Sequence, residues 1–121
     1  MINLDMKCAD FAQKMIDQEM GAGVSGKVKE NTIQKALGVL FENGPYAMFI
    51  FCKSKKDKEG FAGVNSGINK LFKDTDISIG TGSTLGDKLA SIANDLDKLL
   101  FARDLMERTL TYARYHAKAQ S

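Results

Sequence analysis

The fold class of this chain depends on the stretch YAMFIFC, residues 46–52, which is its longest uninterrupted apolar run. Periodicity alone does not distinguish a buried strand from a buried helix in so short a run. Pro45 precedes it, and proline suits the first helical position because its missing amide hydrogen is not needed there. The sequence offers no partner strand, and an isolated strand leaves its backbone hydrogen bonds unsatisfied. We therefore expect a buried central helix.

Apolar residues on both sides of this run recur three or four positions apart, which is the spacing of one helix face. Residues 3–20, 28–41 and 61–72 all show the pattern. Gly21 and Gly23 end the first of these segments, Ser25 is expected to cap the second, and Gly44 ends it. The sequence therefore predicts an all-α fold, a single-domain helical bundle of about five to six helices over residues 1–121.

The last third of the chain begins with residues 74–83, whose Asp, Ser, Thr and Gly content predicts the longest loop. Thr84 and Asp87 then have the spacing of a capping box, with aspartate replacing the usual glutamate or glutamine. They open a helix whose apolar face includes Leu85, Leu89, Ile92, Leu96 and Leu99. A further helix, continuous with it or broken near residues 100–102, is expected to run almost to the end with Phe101 on its apolar face.

Composition describes an ordinary globular chain with 44% hydrophobic and 26% charged residues, and its net charge is only +2. Any attraction to nucleic acid must therefore come from local clusters of charge. Cys8 and Cys52 form no C-x-x-C pair, so we expect two buried thiols and no disulfide framework. The absence of a readable secretory signal or a membrane-length apolar run predicts a cytoplasmic protein with no membrane partner.

Residues 80–88, GTGSTLGDK, resemble a phosphate-binding loop only superficially. The glycine spacing does not fit a dinucleotide fingerprint, and Asp87 interrupts the Gly-Lys pair that a P-loop requires. A capped helix entrance is the favoured interpretation. His116 is the only histidine, which leaves no histidine pair for acid–base chemistry and no histidine-rich metal centre. We expect a protein that binds rather than catalyses, with no cofactor and no metal.

The last helix carries the most suggestive charge pattern. At about 100° per residue, Arg103, Arg114 and Lys118 fall within roughly 60° of one another, opposite the apolar face. Glu107 shares this sector, so a solvated face with helix-stabilising ion pairs is an equally good interpretation. Arg108 and Tyr115 lie in the neighbouring sector, where a guanidinium and a ring could hold a phosphate and stack a base.

A second positive patch follows the apolar run and comprises Lys53, Lys55, Lys56 and Lys58. Lysines so close together can contact a polyanion. Composition alone makes nucleic-acid binding one option among several.

Two segments resemble a known family. NGPYAMFIFCKSK, residues 43–55, resembles the Asn-Gly, apolar helix, Phe-x-x-x-Lys signature of the small helical subunit of type III-B CRISPR effector complexes, the Cmr type. LTYARYHAKA, residues 110–119, is similar to that family's closing helix, where Leu-x-Tyr-Leu-x-Trp is usual. Pro45 stands where the family usually has leucine, Leu37 where a proline is common, and Tyr115 where tryptophan is usual. Residues 74–86 have no counterpart, and related small subunits of other RNA-guided complexes are similar in size.

The resemblance implies a helical bundle without enzymatic activity that serves antiviral defence. Copies would stack along guide RNA and target RNA and bridge neighbouring subunits of the complex, including further copies of itself. The two motifs assign RNA-backbone contacts to four residues: Lys53, Lys55, Arg114 and Lys118. The patch argument adds three more: Lys56, Arg103 and Arg108. Their role would be to neutralise phosphates, which gives sequence-independent, salt-sensitive binding.

A different class of function remains open on the residues alone. The chain could be a helical protein-interaction adaptor or an inhibitor module without nucleic-acid binding. Such a protein would use its methionine-rich and glycine-bearing surfaces for contacts, because methionine adapts to irregular partners.

Overall fold

The structure is a computed structural model that describes residues 3–17, 28–55 and 60–120. Within these ranges the chain forms six helices and no strand, so the predicted all-α, single-domain bundle is confirmed. In chain order the helices are α1 Leu4–Ile16, α2 Glu30–Asn43, α3 Pro45–Ser54, α4 Phe61–Lys73, α5 Leu85–Ser91 and α6 Leu96–Gln120. The predicted cap at Ser25 and the predicted end of the first helix at residues 18–20 lie outside the described residues.

Helix α3 contains the apolar run 46–52, which confirms the helical interpretation over the strand. Gly44 adopts a φ of 93°, a left-handed value that favours glycine, and its N–H donates to the carbonyl of Leu40 at 3.0 Å. This conformation ends α2. The chain turns tightly at Gly44, and Pro45 begins α3. Met48, Phe49 and Cys52 are buried, whereas Tyr46 and Ile50 are exposed. The helix is therefore buried on one face only.

Helix α1 packs mainly on α6, and this pair forms one side of the core. The buried residues of α1 are Cys8, Ala12, Met15 and Ile16. Those of α6 include Ala102, Leu105, Met106, Leu110 and Ala113. Both cysteine side chains are buried and neither forms a disulfide, as expected from the sequence.

The directions of the helices follow from a few contacts. Helix α4 runs antiparallel to α1, because Lys7 pairs with Asp74 at 2.9 Å while Met15 lies against Gly67. Helix α6 runs parallel to α1, because Asp5 bonds to Tyr112 whereas Asp17 bonds to Gln120.

The end of α3 joins this arrangement through an edge-to-face contact between the rings of Phe51 and Phe61, with centroids 5.5 Å apart. Helices α1, α3 and α6 therefore finish, and α4 begins, at one end of the bundle. We call this end the C-terminal end.

The junction between α5 and α6 corrects three predictions. The break lies at residues 92–95 and not near residues 100–102, because Asp95 caps α6 by accepting from the N–H of Lys98 at 3.1 Å. Leu96, predicted on an apolar face, is 67% exposed in the first turn of α6. Phe101, predicted on the apolar face of the last helix, is 38% exposed. Both predictions were wrong because the buried face of α6 is formed by other residues: Ala102, Leu105, Met106, Thr109, Leu110 and Ala113.

Gly38 provides a test of the helical register. It lies exposed in the middle of α2, and a Cβ at this position would meet no atom within 4 Å. Gly38→Ala should therefore raise the free energy of unfolding by about 0.5–1 kcal/mol, because alanine loses less backbone entropy in a helix. Urea denaturation followed by circular dichroism measures the change.

Gly86→Ala is the matched control, because its Cβ would lie 2.5 Å from the ring of Phe49. This variant should lose about 1–3 kcal/mol through overpacking. Equal or reversed effects of the two alanines would contradict the assigned helix faces.

Candidate nucleic-acid interface

Lys53 and Lys55 lie exposed at the end of α3, where aromatic rings hold their side chains. The ammonium of Lys53 lies 5.7 Å from the ring centroid of Phe49. That of Lys55 lies 4.6 Å from the centroid of Phe51 and 5.8 Å from that of Phe61. Cation–π attraction at exposed sites is worth about 0.5–1 kcal/mol, enough to favour one direction for a flexible chain. Two positive charges are therefore displayed at the C-terminal end.

Arg114 and Lys118 are exposed on the last turns of α6. Arg114 forms no hydrogen bond and no ion pair with any residue that the structure describes. The hydrogen bond between Gln120 and Asp17 fixes these turns beside the end of α1. The structure thus brings Lys53, Lys55, Arg114 and Lys118 to the same end of the bundle. Lys56 lies outside the described residues.

The guanidinium groups of Arg103 and Arg108, unlike that of Arg114, lie next to carboxylates. The Nε of Arg103 donates to Glu107 at 2.9 Å and its Nη2 donates to the carbonyl of Phe41 at 3.1 Å. The Nη2 of Arg108 lies 2.8 Å from Asp104. These are the i,i+4 pairs of the solvated-face interpretation, and they compensate the guanidinium charges.

Arg103 and Arg108 also lie earlier on α6 than Arg114 and Lys118, with which the sequence groups them. The contact with Phe41, at the end of α2, sets Arg103 at the opposite end of the bundle from Lys53 and Lys55. The basic stripe that the sequence predicts on α6 therefore has two parts. In the first part Arg103 is paired with Glu107, and in the second part Arg114 has no partner among the described residues.

Tyr115 is 64% exposed, between Arg114 and His116 on the outer side of α6. Tyr112 is held one turn earlier, where its hydroxyl donates to Asp5 at 2.5 Å. This hydrogen bond raises the pKa of Tyr112, because it stabilises the protonated phenol beside a carboxylate. His116 is partly buried, as expected for an aromatic residue on the last helix.

The glycine-rich segment 80–88 is a capped helix entrance, as predicted. The N–H of Asp87 donates to the Thr84 hydroxyl at 3.0 Å, and the N–H of Thr84 donates to the Asp87 carboxylate at 3.4 Å. Gly80 and Gly82 have φ values of 70° and 119°, which place the backbone in conformations that favour glycine.

Lys88 is the polar residue in this region that sequence reasoning missed. Only 3% of it is exposed, and its ammonium donates to Asn69 at 2.7 Å and to the carbonyl of Gly82 at 2.8 Å. Burial lowers the pKa of Lys88, and the nearby positive charge of Lys73 acts in the same direction. The lysine fastens the glycine-rich loop to α4, so its role is structural.

This role gives a second test. Lys88→Met should lower the free energy of unfolding by about 1–3 kcal/mol, because it leaves the Asn69 amide oxygen and the Gly82 carbonyl without their donor. The measurement is chemical denaturation, with Lys73→Met as the control for loss of an exposed charge on α4. A Lys88→Met protein as stable as its control would show that the loop does not need this anchor.

Two kinds of site are absent from residues 3–17, 28–55 and 60–120. None of their helices is long and apolar enough to cross a membrane. No three or more His, Cys, Asp or Glu side chains among them are grouped to hold a metal ion. No protein-family model, no curated protein and no solved structure matches this chain.

Proposed function

We propose that this chain is a non-catalytic RNA-binding and assembly subunit of a type III CRISPR effector complex of the Cmr type. It contacts the backbone of guide and target RNA and bridges neighbouring subunits, including further copies of itself. The proposal is supported by the resemblance of residues 43–55 and 110–119 to the two motifs of that family. The single observation that carries it is that these two segments, distant in the chain, finish at the same end of the bundle with their basic side chains exposed.

The chemistry of this end suits phosphate rather than bases. Lys53 and Lys55 are compact charges beside aromatic rings, and Arg114 offers an unpaired guanidinium. Such contacts neutralise phosphates and position a strand without reading its sequence. This arrangement fits a complex in which base pairing supplies the specificity.

Because the net charge is only +2, we expect one chain to bind RNA weakly and several chains together to bind it more strongly. Copies lined along one RNA convert each later contact into an intramolecular step, so that avidity replaces affinity. Cleavage of RNA is assigned to other subunits of the complex.

The direct test is the double variant Arg114→Ala, Lys118→Ala, titrated with single-stranded RNA at several salt concentrations. Loss of two phosphate contacts should weaken binding and reduce the slope of log K against log salt by about 0.7 per contact, or about 1.4 in all. Lys98→Ala is the matched control, because Lys98 is an exposed lysine at the start of the same helix. It should leave affinity and slope unchanged.

Circular dichroism checks that helicity is retained in both proteins. Unchanged affinity and slope in the double variant, or equal losses in Lys98→Ala, would contradict the proposal.

The alternative function, a protein-interaction adaptor or inhibitor module, is favoured by one observation. An apolar groove of about 550 Å³ lies between the start of α3 and the α5–α6 junction, lined in part by Pro45, Leu89 and Leu99. Leu96 and Leu100, nearby on α6, are more than half exposed. Size-exclusion chromatography with and without single-stranded RNA discriminates between the two functions, because only the RNA-binding protein should co-elute with RNA.

A further inference from the structure

A second groove lies along the middle of α6, from Asp104 to Tyr115. It has a volume of about 450 Å³ and is bordered by α6, by the start of α1 and by the end of α2. Three aromatic rings and three carboxylates line it: Phe41, Tyr112, Tyr115, Asp5, Asp104 and Glu107. We call it the aromatic groove.

The rings of the aromatic groove are exposed beyond what the fold requires. Phe41 is 55% exposed and Tyr115 is 64% exposed, and they belong to different helices on the border of one cavity. Large exposed rings beside a concavity are typical of surfaces that bind another protein, where aromatic residues supply much of the binding energy.

The charges of the groove specify the chemistry of its occupant. Its lining holds three carboxylates and one guanidinium, that of Arg108; Glu107 is paired with Arg103 at 2.9 Å, and Asp5 accepts from the Tyr112 hydroxyl. Arg108 is paired with Asp104, and its other terminal nitrogen lies 4.0 Å from Asp5. Exposed i,i+4 ion pairs of this kind are worth only about 0.3–0.5 kcal/mol, so an incoming cation can compete for the carboxylates. A phosphate would instead meet like charge.

We infer that the aromatic groove docks an arginine side chain presented by a partner protein. A guanidinium is planar, stacks on aromatic faces and donates two parallel hydrogen bonds to a carboxylate, and the groove offers both kinds of group together. Phe41 and Tyr115 provide the rings, and Asp5 and Asp104 provide the acceptors. The inference goes beyond the proposed RNA contact and uses neither Arg114 nor Lys118, so the two can fail separately.

The test uses a capped pentapeptide with one central arginine as the probe. Its titration into the ¹⁵N-labelled full chain, followed by NMR, should give saturable shifts of the Phe41, Tyr112 and Tyr115 amides. A peptide in which citrulline replaces arginine has the same shape without the charge and should bind about threefold or more weakly, because cation–π attraction and the ion pair are lost.

Variants locate the site. Tyr115→Ala removes an exposed ring and should weaken the arginine peptide by about threefold or more, whereas Leu96→Ala, an exposed residue of α6 outside the groove, should leave binding unchanged. Asp104→Asn should weaken it as well, since one acceptor becomes neutral.

Three results would overturn the inference: no saturable shift at these residues, equal binding of the arginine and citrulline peptides, or single-stranded RNA giving the same groove shifts in place of the peptide. The last result would assign the groove to nucleic acid.

Discussion

The packing of α1 against α6 is the constraint on which the rest of the structure depends. Cys8 and Ala12 on α1 and Ala102 and Ala113 on α6 are fully buried small residues, and the separation of packed helices is set by the side chains at their contact. At 25 residues, α6 is about 37 Å long and extends well beyond the 13 residues of α1. It therefore contacts both α1 and α2, and its two halves have different neighbours.

Those surroundings decide the chemistry of each half. Arg103 and Arg108 lie within 3 Å of carboxylates from their own helix, and Asp5 from α1 adds a further negative charge. Beyond Tyr112, the acidic residue bonded to α6 within the described part of the chain is Asp17, whose carboxylate accepts from Gln120. Arg114 consequently keeps its charge available at the C-terminal end, where the lysines of α3 also lie. One helix thus offers a surface suited to cations and, two turns later, a surface suited to phosphate.

The sequence predicted what depends on local spacing. The helical nature of the run 46–52 followed from Pro45 and from the absence of a partner strand, and the capping box at Thr84 followed from Asp87 three positions later. The break at residues 92–95 was missed because Leu89, Ile92, Leu96 and Leu99 keep helical spacing across it. The spacing of apolar residues carries no information about a helix cap that one residue, Asp95, supplies.

The candidate site was less predictable, because its charges depend on contacts between distant segments. A helical projection places Arg103 and Arg114 in one sector, but it contains neither Asp5 nor the carbonyl of Phe41, which come from other helices. Lys88 could not be found from sequence, since lysine is rarely buried and its acceptor Asn69 lies on a different helix. Only the directions of α1, α3, α4 and α6 show that two distant basic segments end together.

The measurement that tests the central claim most directly is photo-crosslinking of single-stranded RNA carrying 4-thiouridine, with the adducts mapped by mass spectrometry. Adducts in both the peptide containing Lys53 and Lys55 and the peptide containing Arg114 and Lys118 are the predicted result, because both lie at the C-terminal end. Adducts confined to the first half of α6, around Arg103 and Arg108, would contradict the account.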